Sequence, residues 1–455
     1  MPQYDRPSTL TLKCIDLSFE GLGVCKDNGR VIFVEEMFPG DEAQVEIVYQ
    51  RAGSLFGRVT KLLKASPDRI EPKCKVCSSC GGCEFQKYAY KAQLVYKQKK
   101  VVEQFRKIGH MDVEALPTIG MEDPYFYRNK IQVPFGCDSK GNVYCGFYKQ
   151  NTHVIVPIEK CFIEDERAEP ILKAMRYLMK SMRIGPFDED SGEGVIRYAL
   201  IKTSKFFHDV MLVLVTGVDS FASRNNFVRA LVEQCPEITT VVQNINSRHT
   251  NVILGDRTKI LYGKGFIRDT LCGVNFRISA KSFYQTNPIM TEILYNTAMD
   301  FAKLTPDDVV FDAYSGIGTI GMIAAKRCKK AISVEIVPEA VHDAIANARE
   351  NNITNFVSYA DDASDYITRM ARVNDHIDVL FMDPPRKGSD QRFLDAVIKL
   401  KPSRILYVSC DPTTLARDVA YLNQSYKVGK IQPVDLFPQT FHVETVVVLS
   451  IRKRD

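Results

Sequence analysis

Ser409-Cys410-Asp411-Pro412 directly follows the apolar run Arg404-Ile405-Leu406-Tyr407-Val408. A short apolar run of this kind reads as a buried parallel strand, so the Cys410 thiol stands where that strand meets solvent. A thiolate there can add to C6 of a pyrimidine and leave electron density at C5, which turns an inert ring carbon into one that accepts a methyl group. The original C5 hydrogen must then leave before the sulfur departs by β-elimination, so the chemistry demands a base as well as a thiol. Glu444, at the end of Phe437-Pro438-Gln439-Thr440-Phe441-His442-Val443-Glu444 and just ahead of an apolar strand, offers the carboxylate. His442 is the alternative base, although a histidine beside a strand is often structural. Cys272 and Cys328 read as small buried hydrophobes.

A second group of residues points to a nucleotide-like cofactor. Asp308-Val309-Val310-Phe311-Asp312 is a strand, Tyr314-Ser315-Gly316-Ile317-Gly318 a turn, and Thr319 to Arg327 a helix. Glycine lets backbone approach a ligand closely in such a turn, and the next strand ends in Glu335, about twenty residues on, where a carboxylate accepts from ribose hydroxyls. A nicotinamide dinucleotide fits this much equally well. Asp383-Pro384-Pro385-Arg386, after the strand Ile377 to Met382, tips the balance, because a dehydrogenase has no need of that loop and a methyltransferase uses one. Amino-group methyltransferases place an aromatic residue after the Pro-Pro pair. Arg386 in that place disfavours an exocyclic nitrogen acceptor.

A third group is Cys74-x2-Cys77-x2-Cys80-x2-Cys83, four thiols within ten residues. The spacing suits tetrahedral zinc, or a [4Fe-4S] cluster held by three of these and a distant fourth.

The elements that must position these groups follow from length and pattern. A chain of 455 residues, 45% hydrophobic, exceeds one ordinary core and implies several domains. No run has the roughly 18 apolar residues of a membrane span, and the first residues lack an apolar signal core, so a cytoplasmic protein with no membrane contact is expected. Thirteen cysteines without a secretion signal argue against a disulfide framework. The net charge of +5 is compatible with a polyanionic partner and no more. Residues 8 to 65 alternate in the manner of a small β-barrel. A helix from Lys87 to Ile108 interleaves Lys91, Lys97, Lys99, Lys100, Arg106 and Lys107 with Tyr88, Tyr90 and Tyr96, a face that could track phosphates. Strands dominate from 125 to 280, and βαβ alternation follows Ser282.

In order along the chain, Gln285 within Ser282-Phe283-Tyr284-Gln285, the Tyr314 to Gly318 turn, Glu335, Asp383-Pro384-Pro385-Arg386, Ser409-Cys410-Asp411-Pro412 and His442-Val443-Glu444 resemble the RNA uracil-5 methyltransferases. The resemblance implies that Gln285, Tyr314, Glu335 and Asp383 contact S-adenosylmethionine, with Cys410 as nucleophile and Glu444 as proton acceptor. It places Asp362 near the adenine, in surroundings that depart from the family pattern, and puts Asp411 where Asn is common. Leu17 to Val24 with Phe38-Pro39-Gly40-Asp41 resembles a TRAM barrel. Cys74, Cys80, Cys83 and Cys161 resemble the [4Fe-4S] ligand set of the ribosomal members, leaving Cys77 spare, with zinc as the alternative. Tyr127-Arg128-Asn129-Lys130 resembles an RNA-contacting motif. The implied architecture is multidomain: an OB-like barrel over 1–65, a mixed, mainly antiparallel central domain with the metal cluster over 66–281, and a doubly wound α/β catalytic domain over 282–455. The implied partner is 23S ribosomal RNA, with no protein partner. Transfer RNA and a non-catalytic iron–sulfur RNA-binding role are the alternatives. A cytosine-5 methyltransferase would place a cysteine within residues 383 to 388, and there is none.

Overall fold

The computed structural model describes residues 9–150, 152–189, 191–248 and 252–452. Strands β1 (Thr9–Leu17), β2 (Gly23–Asp27), β3 (Arg30–Glu35), β4 (Glu42–Arg51) and β5 (Ser54–Lys64) close into a barrel in the order β1-β2-β3-β5-β4. Their alternating apolar residues, among them Leu12, Cys14, Cys25, Ile32, Val34, Val45 and Leu55, fill its interior.

Helix α1 (Tyr90–Lys107) leads to a central sheet of seven strands. These are β6 (Lys130–Cys137), β7 (Val143–Tyr148), β8 (Ile155–Pro157), β9 (Ile196–Thr203), β10 (Val210–Thr216), β11 (Thr240–Ile245) and β12 (Arg257–Tyr262), in the order β12-β11-β10-β9-β6-β7-β8. All neighbours run antiparallel except β10 and β11. Strand β10 is apolar throughout because both of its faces are covered. Val210, Leu212 and Leu214 pack with helices α2 (Ala168–Ser181) and α3 (Arg224–Gln234), whereas Met211, Val213 and Val215 join a core that continues into the C-terminal part. That continuous core also takes in the hairpin β13 (Phe266–Leu271) and β14 (Val274–Ser279) and the helix α4 (Pro288–Ala302).

The C-terminal part alternates β15 (Val309–Ala313), α5 (Thr319–Ala325), β16 (Lys330–Glu335), α6 (Pro338–Glu350), β17 (Phe356–Ala360), α7 (Ala363–Arg372), β18 (Val379–Met382), α8 (Gln391–Leu400), β19 (Arg404–Ser409) and α9 (Pro412–Leu422). It ends with β20 (Tyr426–Val434) and β21 (Glu444–Ile451). The sheet order is β17-β16-β15-β18-β19-β21-β20, parallel up to β19 and antiparallel at β21 and β20. The reversal of β21 matters for the site. It brings the start of that strand, Glu444, to the edge at which the parallel strands end.

One expectation about α1 changes on folding. Lys97 and Lys100 are buried, with Tyr88 and Tyr96, against the barrel and the C-terminal segment, so only part of the basic pattern faces solvent. Among the described residues no helix is long and apolar enough to cross a membrane.

Candidate active site

Ligands of open α/β sheets sit beyond the carboxyl ends of the strands, and a large cavity lies there. It holds about 1120 Å³ and is lined by Gln285, Tyr314, Glu335, Asp383, Cys410 and Glu444, the six residues singled out from sequence for cofactor and catalysis. Each arrives on a different element. The turn after β15 carries Tyr314 in a left-handed conformation, φ +62°, a strained state for a non-glycine residue. Gly318 follows at φ +75°, where a Cβ would meet the Phe356 ring at 2.7 Å. Gly316 donates its N–H to Glu335 Oε2 at 2.9 Å and Val337 donates to Oε1 at 3.0 Å, which fixes the β16 carboxylate across the turn. Gly321 serves packing: a Cβ there would lie 2.3 Å from Ser333 Oγ.

Gln285 is held from behind. Asn129, from the central sheet, donates to the Gln285 carbonyl at 3.1 Å, and the Thr286 carbonyl accepts from the Asn129 N–H at 2.9 Å. Asp362 also lines the cavity, but its Oδ1 already caps α7, accepting from Ser364 at 2.9 Å and Asp365 at 3.0 Å. Asp411 caps α9 by accepting from the Thr413 N–H at 2.7 Å. An amide oxygen could accept the same bond, so an Asn in this place would keep the cap.

Cys410 closes β19 half-buried, and Glu444 is buried at the head of β21. Burial pushes the thiol up to about 12, with the neighbouring Glu444 and Asp383 adding to the rise and Arg386 opposing it. Burial and then Asp383 raise Glu444 to about 8, while burial alone raises Asp383 to about 7. His442 is depressed to about 4, first by burial and then by Arg386 and Lys100. Its imidazole is therefore a weaker proton acceptor than the Glu444 carboxylate.

A family profile of tRNA (uracil-5-)-methyltransferase matches residues 227–452. An RNA methyltransferase from Halalkalibacterium halodurans is 40% identical over 439 residues, covering 96% of each chain. The chain belongs to the uracil-5 RNA methyltransferase family. A second relative, an RNA methyltransferase from Listeria monocytogenes, is 41% identical over 444 residues, covering 97% of this chain and 98% of its own. Among solved structures, the Pyrococcus abyssi tRNA (uracil-54, C5)-methyltransferase in complex with S-adenosyl-L-homocysteine superposes with a TM-score of 0.78 at 26% identity. That match covers 97% of this chain and 100% of the other. Members of this uracil-5 family are S-adenosylmethionine-dependent RNA methyltransferases, and the strand-end cavity has room for a nucleoside-sized donor.

Cys74, Cys77, Cys80, Cys83 and Cys161 line a separate cavity of about 230 Å³ between the N-terminal segment and the central sheet. Burial raises Cys80 to about 11 and Cys83 to about 12, and lifts Cys161 as well. The fold thus collects the four cysteines expected as ligands, together with the spare one. It does not bring them into a coordination sphere: among the described residues no three or more His, Cys, Asp or Glu side chains are grouped to hold a metal ion.

Sequence reasoning missed Glu84, which follows Cys83 and lines the strand-end cavity with an Oε2 that is buried and lacks a hydrogen-bond partner. It also missed the ion pair of Lys97 with Asp435, 2.5 Å apart with both side chains fully buried. Neither left a signal in the sequence, because a lysine in a basic helix and a glutamate in a loop are ordinarily solvated. Arg128, within the expected RNA-contacting motif, lines both cavities, as does Gly82 of the cysteine segment.

Proposed function

We propose that this protein transfers a methyl group from S-adenosylmethionine to C5 of a uridine in 23S ribosomal RNA, giving 5-methyluridine. The observation that supports the reading best is the meeting of Cys410 with Glu444 in the cavity that also holds the glycine turn, Glu335 and Asp383. Gln285, Tyr314, Glu335 and Asp383 would hold S-adenosylmethionine, whose sulfonium supplies an electrophilic methyl group. Cys410 adds to C6 of the uracil, and the electron pair of the C5–C6 bond moves toward C5 and O4. After C5 is methylated, Glu444 takes the C5 proton, the C5–C6 double bond re-forms and the Cys410 thiolate is released. The target base must leave its stack to reach a thiol set inside a cavity.

In this proposal residues 1–65 form a TRAM-type barrel that grips RNA, residues 66–281 present Arg128 and its neighbours, and residues 282–455 carry the chemistry. Cys74, Cys80, Cys83 and Cys161 would hold a [4Fe-4S] cluster, with zinc as the lesser alternative. What supports this reading is that all four thiols border one void larger than a single ion needs, and the cluster's part would be to tie the segment near residue 80 to the central sheet.

Transfer RNA is the second reading, and one observation favours it. The match to the Pyrococcus abyssi tRNA enzyme extends over 97% of this chain, barrel included, so possession of a barrel does not by itself choose the RNA. Incubation of the purified protein with labelled S-adenosylmethionine and either 23S rRNA or tRNA, followed by nucleoside analysis, tests both. Label in 5-methyluridine from 23S rRNA supports the proposal. Label only from tRNA replaces the substrate, and label in 5-methylcytidine or none rejects the reaction.

A further inference from the structure

The proposed nucleophile sits in an unfavourable field. Cys410 borders the cavity with Asp383 at the end of β18 and Glu444 at the start of β21, and these two carboxyl groups, together with Asp411 next along the chain, resist a negative charge on the thiol. Four cationic side chains border the same cavity: Arg128, Lys281, Arg386 and Lys387. Of these, Arg386 is the one whose charge bears on Cys410 and on Glu444 together.

Arg386 is held in place through its backbone. Thr414 Oγ1, in the first turn of α9, donates to the Arg386 carbonyl at 3.1 Å. Arg417, one turn further along α9, donates from Nη2 to the Lys387 carbonyl at 3.0 Å. The helix that starts immediately after Cys410 therefore anchors the loop that carries Arg386, and thiol and guanidinium keep a common reference. The guanidinium itself forms no ion pair among the described residues, although carboxylates stand on the same cavity wall. It is an exposed cation left over beside a thiol that must ionise.

We propose that Arg386 is the counter-charge that makes the Cys410 thiolate available for addition to the pyrimidine. The assignment rests on Cys410 being the nucleophile. Arg386 acts through Cys410 by opposing the field of Asp383 and Glu444, so it is a positioning charge. A cation next to a thiol favours the thiolate, which is the reactive form.

The test reads the thiol directly, without RNA or S-adenosylmethionine. Purified wild-type protein, Arg386→Met and Arg386→Lys are treated with iodoacetamide at a series of pH values, and modification of the Cys410 peptide is followed by mass spectrometry. Each alkylation forms one S–C bond, breaks the C–I bond and releases iodide, with the thiol proton passing to buffer. For Arg386→Met the midpoint of the rate profile should move up by about half to one pH unit, so that alkylation near pH 8 slows roughly three- to tenfold. Arg386→Lys should lie between the two. In the methylation assay the same variant should lower kcat more than it raises the KM for RNA. Superimposable alkylation profiles, with circular dichroism showing that both variants fold, overturn the proposal. So does a defect confined to the KM for RNA, which would mark Arg386 as a phosphate contact. An alkylation shift in a protein that methylates no uridine would leave the Arg386–Cys410 pairing standing while the proposed reaction fell.

Discussion

Replacing Lys97 by Met should destabilise the protein by an amount that its surroundings set. Lys97 Nζ lies 2.5 Å from Asp435 Oδ1 and donates also to the Phe437 carbonyl at 3.1 Å, with both charged side chains fully buried. Removing one partner of a buried ion pair leaves an uncompensated charge and costs about 3–5 kcal/mol. Asp435 keeps two neutral donors, the Tyr90 hydroxyl at 3.0 Å and the Phe437 N–H at 3.1 Å, so the loss should fall near the lower end, roughly 3 kcal/mol. Asp435→Asn leaves instead a buried lysine whose pKa burial already depresses, and it should cost about as much. The double variant Lys97→Met/Asp435→Asn should be more stable than the sum of the two predicts, with a coupling of about 2 kcal/mol. Equilibrium urea denaturation followed by far-UV circular dichroism reads this well, since the chain has no tryptophan to report by emission. The pair clamps α1 onto the strand that leads to Phe437, Thr440 and Glu444, so methylation should fall with stability. Single variants within 1 kcal/mol of wild type by the linear extrapolation, or strict additivity, would refute the argument that this buried pair is a clamp.

Glu444, raised to about 8 in the folded chain against an ordinary 4.5, favours the neutral acid on folding. Its stabilising contribution is complete below the ordinary value and disappears as pH rises through 8. The melting temperature of the ligand-free protein should drop between about pH 4.5 and 8 and level off above it, and Glu444→Gln should flatten that drop; equal slopes contradict the assignment. In the methylation assay Glu444→Gln should accumulate a denaturation-resistant protein–RNA adduct, and its absence alongside lost activity would give Glu444 another role. Cys410→Ala should abolish methylation while S-adenosylmethionine and RNA still bind by titration calorimetry, and measurable turnover would mean that another nucleophile acts. Cys83→Ser and Cys161→Ser should lower the iron content and visible absorbance of anaerobically purified protein, whereas Cys77→Ser should leave both unchanged. Iron-free wild-type protein refutes the cluster.

The sequence by itself carried whatever depends on local pattern. Alternating apolar residues with tight turns specify the barrel strands, apolar runs specify β15, β16, β18 and β19, and glycine spacing specifies the turn at Tyr314 because few other residues tolerate its backbone. Cys410 was legible for the same reason: it ends an apolar strand, and parallel strands end at ligand sites. Only the tertiary structure decided what depends on distance between remote segments. Antiparallel entry of β21 delivers Glu444 to Cys410. Burial of Lys97 against Asp435, 338 positions away, converts an apparently solvated lysine into a clamp. The field at the thiol, from Asp383 and Glu444 on one side and Arg386 on the other, exists only once β18, β19 and β21 lie side by side, because charge interactions scale with separation in space and ignore separation along the chain.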